Sequence, residues 1–427
     1  MLKIVKSEWI HDNHNMGIIP MFQTSQIIIV GAGPAGIACA LQAADKCKDI
    51  LILEGGETPL KKFLLTGGGK CNLTHDGNVN ELLSHYYEKK RFLSCALHTF
   101  PPQKLLSFFK DRGLDFYTDT GGCIFPVTNQ AGDIAHLLLQ ECSKKNIIIK
   151  CREKVTEIFS GENIFSVTAS RSRYKARKLV IACGGKSFPQ TGSDGSIFPL
   201  LERLGHKIIG LAPALCGLTV KKFSSLSGIT VKNAIISTDY SGKKRFSVRG
   251  ELLFTHNGIS GPAVLNISRY AVSSNKITVN FIPEFNTETC TRSLQKESAV
   301  HGKWKIGNLT AEVFRLPVRL CRLLCTDAGL NPDIQSAHVS SDQKKKLAAV
   351  FTACELSVQA GSINNAMASR GGVCISMIDQ SAMQSTVINN LYFAGECMDI
   401  DGECGGYNLQ AAFSTGFLAG EKLSDKN

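Results

Sequence analysis

The residues best placed to do chemistry in this chain are glycines, and the chemistry they allow is binding. An apolar run, Ile27 to Val30, breaks into Gly31-x-Gly33-x-x-Gly36 and continues through Pro34, Ala35 and Ala40 as small residues suited to a helix. Gly31 permits a tight turn, Gly33 lets the backbone approach a pyrophosphate, and Gly36 lets helix and strand pack closely. Free N–H groups at the helix start, helped by the helix dipole, then hold the phosphates. A second apolar run, Ile50 to Leu53, ends at Glu54, about 20 residues after the turn, where a carboxylate bonds ribose hydroxyls. An ordinary tight turn needs neither the preceding strand nor that acid, so the segment reads as a dinucleotide site.

A second glycine-rich segment lies far down the chain. The strand-like run Leu391 to Ala394 leads into Gly395-Glu396, then Asp399, then Gly405-Gly406-Tyr407-Asn408, with a small-residue helix starting near Leu409. In a fold of this type the strand end brings an acid to a ribityl chain. The helix N-terminus faces the flavin edge where negative charge appears on reduction, a favourable placement of ~0.3–1 kcal/mol when exposed and up to ~2 kcal/mol when partly buried. Together the two segments read as the two ends of one FAD site. Between them, Thr66-Gly67-Gly68-Gly69-Lys70-Cys71-Asn72 allows close approach of the backbone to a flat ligand. Gly184 and Gly185 end another strand at a second turn and are assigned to the same site.

Flavin supplies the redox chemistry, so no acid–base triad is required of the protein. Cys71 lies in the expected flavin loop but has no second cysteine at the CxxxxC spacing of a dithiol reductase, so a structural or flavin-contacting role is preferred. His256, beside Gly258-Ile259-Ser260-Gly261-Pro262, is the one candidate proton donor, although a lone loop histidine is more often structural. Tyr407 either lines the flavin or packs at the helix cap. Cys321 and Cys325 stand one helical turn apart, a spacing that suits two small core residues as well as a metal half-site, and no metal is expected.

With 427 residues, 43% hydrophobic and 20% charged, the composition is that of an ordinary globular protein of two or three domains. The net charge of +12 suits anionic ligands such as FAD. Basic residues are scattered with few interleaved aromatics, so a solvated basic face is expected rather than a nucleic-acid site. The 16 cysteines follow neither zinc spacings nor a secretory signal, which points to a reducing cytoplasm. Residues 26–44 approach the length of a membrane span, but their glycines and Pro34 argue against one. Residues 1–24 show no period and read as an arm, with Met16 or Met21 as alternative starts.

The fold expected is α/β: a discontinuous Rossmann-like FAD domain, residues 25–190 and 359–427, bracketing an inserted β-barrel-like domain, 191–285 and 331–358, with a helical subdomain at 286–330. Helices are expected at Pro101–Arg112 and Ala131–Lys145. Strand-like runs between Ile147 and Ala182 form a meander.

GAGPAG, LLTGGGKCNLTH, ACGGKSFPQTGSDG, LFTHNGISGPAVLNIS and LYFAGECMDIDGECGGYNLQAAFSTG, in that order, resemble the BaiN-like NAD(P)/FAD-dependent oxidoreductases, also known as aminoacetone-oxidase-family FAD-binding enzymes. The resemblance runs from about Ser25 to Leu423. It implies a glutathione-reductase-type FAD domain interrupted by a β-barrel-like domain. Gly31, Gly33, Gly36 and Glu54 would then hold the ADP half of FAD. Thr66 to Asn72, Gly395, Glu396, Asp399 and Gly406 to Leu409 would surround the flavin. Two positions depart from the family: Cys123 stands where a GRxFP motif has arginine, and Met377 where an acid is common, which bears on activity or specificity rather than on FAD. The expected activity is reduction of a small organic substrate with hydride from NADH or NADPH, bound transiently because no second GxGxxG is present. An amine or aminoketone oxidase, or a flavoprotein that binds RNA or a protein and uses FAD as a redox sensor, are the alternatives. A plain NAD-dependent dehydrogenase would leave the C-terminal motif without a purpose.

Overall fold

The computed structural model describes residues 22–240 and 244–423 and divides into two compact units. One comprises residues 1–212 and 368–427, the other 213–367. The expected arm falls largely outside the described residues.

In the first unit, five parallel strands lie in the order Leu391–Phe393, Arg173–Ile181, Gln23–Val30, Ile50–Leu53 and Ile148–Lys150. Ile27 to Val30 and Ile50 to Leu53 are buried on both faces, which is why these runs are apolar without alternation. The strands Val155–Ser160 and Phe165–Ala169 form an antiparallel hairpin that continues into Arg173–Ile181. The helix Pro34–Ala43 leaves the first strand at the glycine turn and packs along the closing helix, Tyr407–Leu423. The two backbones come so close that a Cβ on Gly416 would stand 2.2 Å from the Ala35 carbonyl oxygen. Small residues in both helices are therefore a packing requirement. The expected helices appear as Pro102–Lys110, with Pro101 as its N-cap, and Ala131–Lys144.

The second unit is a seven-stranded antiparallel sheet. Its two outermost strands, Cys354–Ser357 and Gln359–Ala360, are separated in the chain by Val358 alone. A sheet whose opposite edges are joined by one residue has to curl round on itself, which produces the barrel-like form.

Two boundaries differ from the sequence expectation. The units divide at Pro213 and Met367, not at Thr191 and Gln359. The cause is a two-stranded sheet between Ile208–Ala214 and Ala368–Val373, which keeps the segment after Thr191 with the first unit. The helical part also continues beyond Leu330: after Thr287–Val300, Ile306–Phe314 and Val318–Asp327 comes Ser341–Thr352. Ser340 and Gln343 form a reciprocal capping box that starts this last helix. Cys321 and Cys325 are buried in the core of these helices. Among the described residues no helix is long and apolar enough to cross a membrane.

Candidate functional site

The first strand hands over to its helix through Gly31, whose φ of +107° places it in the left-handed half of the map. A Cβ on Gly36 would lie 2.0 Å from the Gly31 carbonyl oxygen, so the turn and the helix are in backbone contact. Gly33 is different. It caps the helix with an extended backbone, Pro34 occupies the first turn, and nothing lies within 4 Å of where its Cβ would be. The leading N–H groups of a helix have no partner within it, so this open space leaves them accessible to an anion such as a phosphate. Glu54 is fixed at the end of the second strand, one carboxylate oxygen accepting from Ala32 N (2.8 Å) and the other from Gly56 N (2.7 Å). Each oxygen keeps acceptor capacity for a ribose hydroxyl.

The loop from Thr66 to Asn72 is a tight coil in which Gly67 and Gly68 take φ of +57° and +65°. Space is open beside Gly68 and Gly69, where a flat ring would lie, and Lys70 is exposed. Thr66 O accepts from Cys71 N at 3.0 Å. Asn72, its amide oriented to donate to Thr74 O and to accept from Gly406 N (3.2 Å each), ties the loop to the start of the closing helix. Thr74 Oγ1 adds a buried bond to Gln410 Oε1 at 2.6 Å.

Cys71 is completely buried, and burial pushes its thiol up to about 12, against a hydrogen bond with Thr66 that acts the other way. The thiol is therefore neutral, and it is the thiolate that reacts. Native protein treated with iodoacetamide near pH ~8, where a free thiol of pKa ~8.5 is readily alkylated, is expected to leave Cys71 unmodified in peptide mapping. Alkylation at the rate of a free thiol would instead mark it as reactive.

The acids of the C-terminal segment are held by lysines. Glu396 Oε2 meets Lys62 Nζ at 2.6 Å, while Oε1 accepts from Ser369 N (2.7 Å), Ser369 Oγ (2.8 Å) and Ser187 Oγ (3.1 Å). These donors tie strands and loops together through Glu396, and Oε2, met by Lys62 alone, keeps acceptor capacity for a ribityl hydroxyl. Gly185 sits under this clamp, where a Cβ would be 1.9 Å from Ser369 Oγ, and Gly184 turns beside Ser193. Asp399 pairs with Lys89 at 2.5 Å, with side chains 12% and 14% exposed. Asn408 grips both the N–H and the carbonyl of Gly402 (2.9 Å each), fixing the Gly405-Gly406 turn, while Leu409 packs half-buried on the core. Gly395 lies against Ala35, which connects the two glycine segments directly.

Tyr407 opens the closing helix and stacks near-parallel with His85 (4.3 Å between centroids) and His75 (4.9 Å). His85 Nδ1 is 2.8 Å from Glu403 Oε2, and the two nitrogens of His75 face the carbonyls of Asp76 (2.8 Å) and Gly121 (3.0 Å). Burial, helped by Glu403, raises the Tyr407 phenol well above the usual range. Cys123 is the register partner of His75, and burial with the nearby Cys123 and Glu403 pushes the Cys404 thiol up to about 11. This ring cluster lies beside the helix start that the sequence assigned to flavin. His75 and Ser187 lie within quoted motifs without a role assigned to them, and Lys62, Lys89, His85 and Ser369 were not singled out in the sequence. Met377 accepts from Lys207 N through its sulfur at 3.1 Å. His256 belongs to the second unit, exposed in the turn between Lys244–Thr255 and Gly258–Ser260, so nothing in the turn preorients its ring.

The open space at Gly33, Gly68 and Gly69 and the fixed Glu54 together fit an extended dinucleotide carrying a flat ring. The HI0933-like protein Rossmann domain matches residues 25–422. A 3-dehydro-bile acid delta(4,6)-reductase of Clostridium scindens is 30% identical over 94% of this chain and 100% of its own. A ribosomal RNA dihydrouridine synthase of Escherichia coli K12 is 29% identical over 93% and 97%. Among solved structures, a 3-ketosteroid-delta4-(5alpha)-dehydrogenase of Rhodococcus jostii RHA1 superposes with a TM-score of 0.52 at 13% identity, covering 96% of this chain and 98% of that one, a likeness of fold.

Proposed function

The chain belongs to the HI0933-like Rossmann family and is an FAD-dependent oxidoreductase; on that premise we propose that it reduces a carbon–carbon double bond conjugated to a carbonyl, using NADH or NADPH. The observation that carries the reading is end-to-end similarity to a reductase of such a bond, over all of that protein's length. When bound, FAD would supply the hydride-transfer chemistry between a nicotinamide and the substrate. The chain's own part is to bind and orient. Gly33 and the first helix would hold the pyrophosphate, Glu54 the adenosine ribose, and the Thr66–Asn72 loop with Gly406 to Leu409 the ring. The N–H groups and dipole at the start of Tyr407–Leu423 would stabilise negative charge gained by the ring on reduction.

A second reading has specific support. The E. coli relative acts, by its name, on ribosomal RNA, and a uracil ring also presents a double bond conjugated to a carbonyl. The two readings share their reductive chemistry and differ in substrate.

The test is an absorbance spectrum of the purified protein, followed anaerobically by NADH and then NADPH. Flavin bands near ~370 and ~450 nm that bleach with one nicotinamide, and return on adding a 3-oxo-4,6-diene steroid or uridine-containing RNA, would support the reductase and name its substrate class. Flavin that bleaches only with an aminoketone and returns with oxygen would make the protein an oxidase.

A further inference from the structure

Saturating a double bond conjugated to a carbonyl takes a hydride at the β-carbon and a proton at the α-carbon, and hydride chemistry alone leaves the proton without a source. A proton donor needs an ionisable side chain with one atom fixed by the protein and another left open. Among the described residues, His85 is the one histidine hydrogen-bonded to a carboxylate: its Nδ1 lies 2.8 Å from Glu403 Oε2, and its Nε2 makes no hydrogen bond. His75 has a carbonyl at each nitrogen, and His301 approaches Glu297 only to 3.9 Å. An ionised carboxylate only accepts, so the hydrogen of the His85–Glu403 bond belongs to the ring, and Nε2 is where a proton is gained and lost. The two side chains keep 35% and 32% of their surface exposed, which allows exchange with water.

The imidazole is also held in place. Glu403 N donates to His85 O at 3.0 Å, so backbone and side chain both join the pair. The adjacent Tyr86, fully buried, donates to Tyr407 O at 2.8 Å, and Lys89 pairs with Asp399. Between these anchors Tyr87 takes φ of +52°, a conformation that a tyrosine keeps only where its surroundings impose it. Ser84–Lys89 is thereby pinned to residues 399–407, with the His85 ring stacked on Tyr407 at 4.3 Å. Tyr407 in turn touches Gly405, whose Cβ would stand 2.8 Å from its Cε2, and Gly406 N donates to Asn72 at the end of the glycine loop. We propose that His85 is the proton donor of the reduction and Glu403 its positioning residue, resting on the reading that the FAD ring lies against Thr66–Asn72 and Gly406 to Leu409. As hydride adds to the β-carbon, the π pair moves onto the carbonyl as an enolate. The α-carbon then takes the proton from Nε2 of the imidazolium: the N–H bond breaks with its pair left on nitrogen, and a C–H bond forms. The neutral ring keeps its Nδ1 hydrogen on Glu403 and regains a proton from solvent at Nε2. The substrate is reduced by the electron pair that comes with the hydride, at the expense of the reduced flavin.

The experiment uses the full, FAD-loaded protein, reduced anaerobically with stoichiometric dithionite so that no nicotinamide is needed. It is then mixed with a 3-oxo-4,6-diene steroid or, separately, with uridine-containing RNA, and the return of the ~450 nm band is timed per bound flavin. His85→Phe keeps a ring on Tyr407 but carries no proton, and is expected to slow the return by about 10²- to 10⁴-fold, the usual weight of a general acid. His85→Ala should be slowed alike and recover part of its rate when imidazole is added, a rescue that a packing role does not predict. Glu403→Gln, which keeps an acceptor without the charge, should be slowed less than either. A parent whose flavin neither acceptor re-oxidises overturns the reductase reading and this assignment with it. A parent that is re-oxidised, with His85→Phe returning equally fast, overturns the assignment alone and leaves His85 a stacking role.

Discussion

Gly33→Val is expected to give a folded protein without FAD. Gly33 has φ of −83° and ψ of −179°, which any residue adopts, and no atom lies within 4 Å of its Cβ position. The valine therefore costs the apoprotein little, and its methyl groups enter the space where the pyrophosphate would approach the helix start. The purified variant should be colourless, should melt with apoprotein prepared from the parent, and should lack the stabilisation that a bound ligand confers, about 4 kcal/mol at a thousandfold excess over Kd. Gly36→Val is the contrasting case, because its Cβ would stand 2.0 Å from a backbone oxygen and the fold itself should fail. A yellow Gly33→Val protein with the parent's flavin content would refute the assignment of this turn to the cofactor.

Glu396→Ala is expected to destabilise the first unit by about 3 kcal/mol, the low end for breaking a buried pair. The low end applies because Lys62 and Glu396 keep 25% and 22% of their side-chain surface. The substitution leaves Lys62 Nζ and Ser369 N without their carboxylate partner. Lys62→Met combined with Glu396→Ala should lose less than the two single changes added together, since the double variant has no unpaired ammonium. Denaturant unfolding of the four proteins measures this coupling. Additive losses would mean that the pair does not bridge its segments, and flavin content retained in Glu396→Ala would separate the clamp from cofactor contact.

The ADP end of the site could be read from sequence because its logic is local. Gly31, Gly33 and Gly36 sit within one turn, and Glu54 follows at a distance set by one helix and one strand. The helix at Ser341–Thr352 was also legible, since Ser340 and Gln343 spell a capping box ahead of an apolar-periodic run, yet it was assigned to the β-rich region. The clamp was not legible. Lys62 and Glu396 stand 334 residues apart and Lys89 and Asp399 stand 310 apart, and a lysine with no local motif does not announce its partner.

Residue types and short-range spacing were enough to establish a dinucleotide fold interrupted by an insertion, its glycine turns and its membership of a flavoprotein family. Those features follow from backbone sterics and period, which act over a few residues. Tertiary packing alone decided that Glu396 joins Lys62, Ser187 and Ser369, that His75 and His85 stack on Tyr407, and that the first unit extends to Ala212. Each of these depends on which distant segments the sheet order brings side by side, and Coulomb and stacking forces act on that proximity, not on separation along the chain.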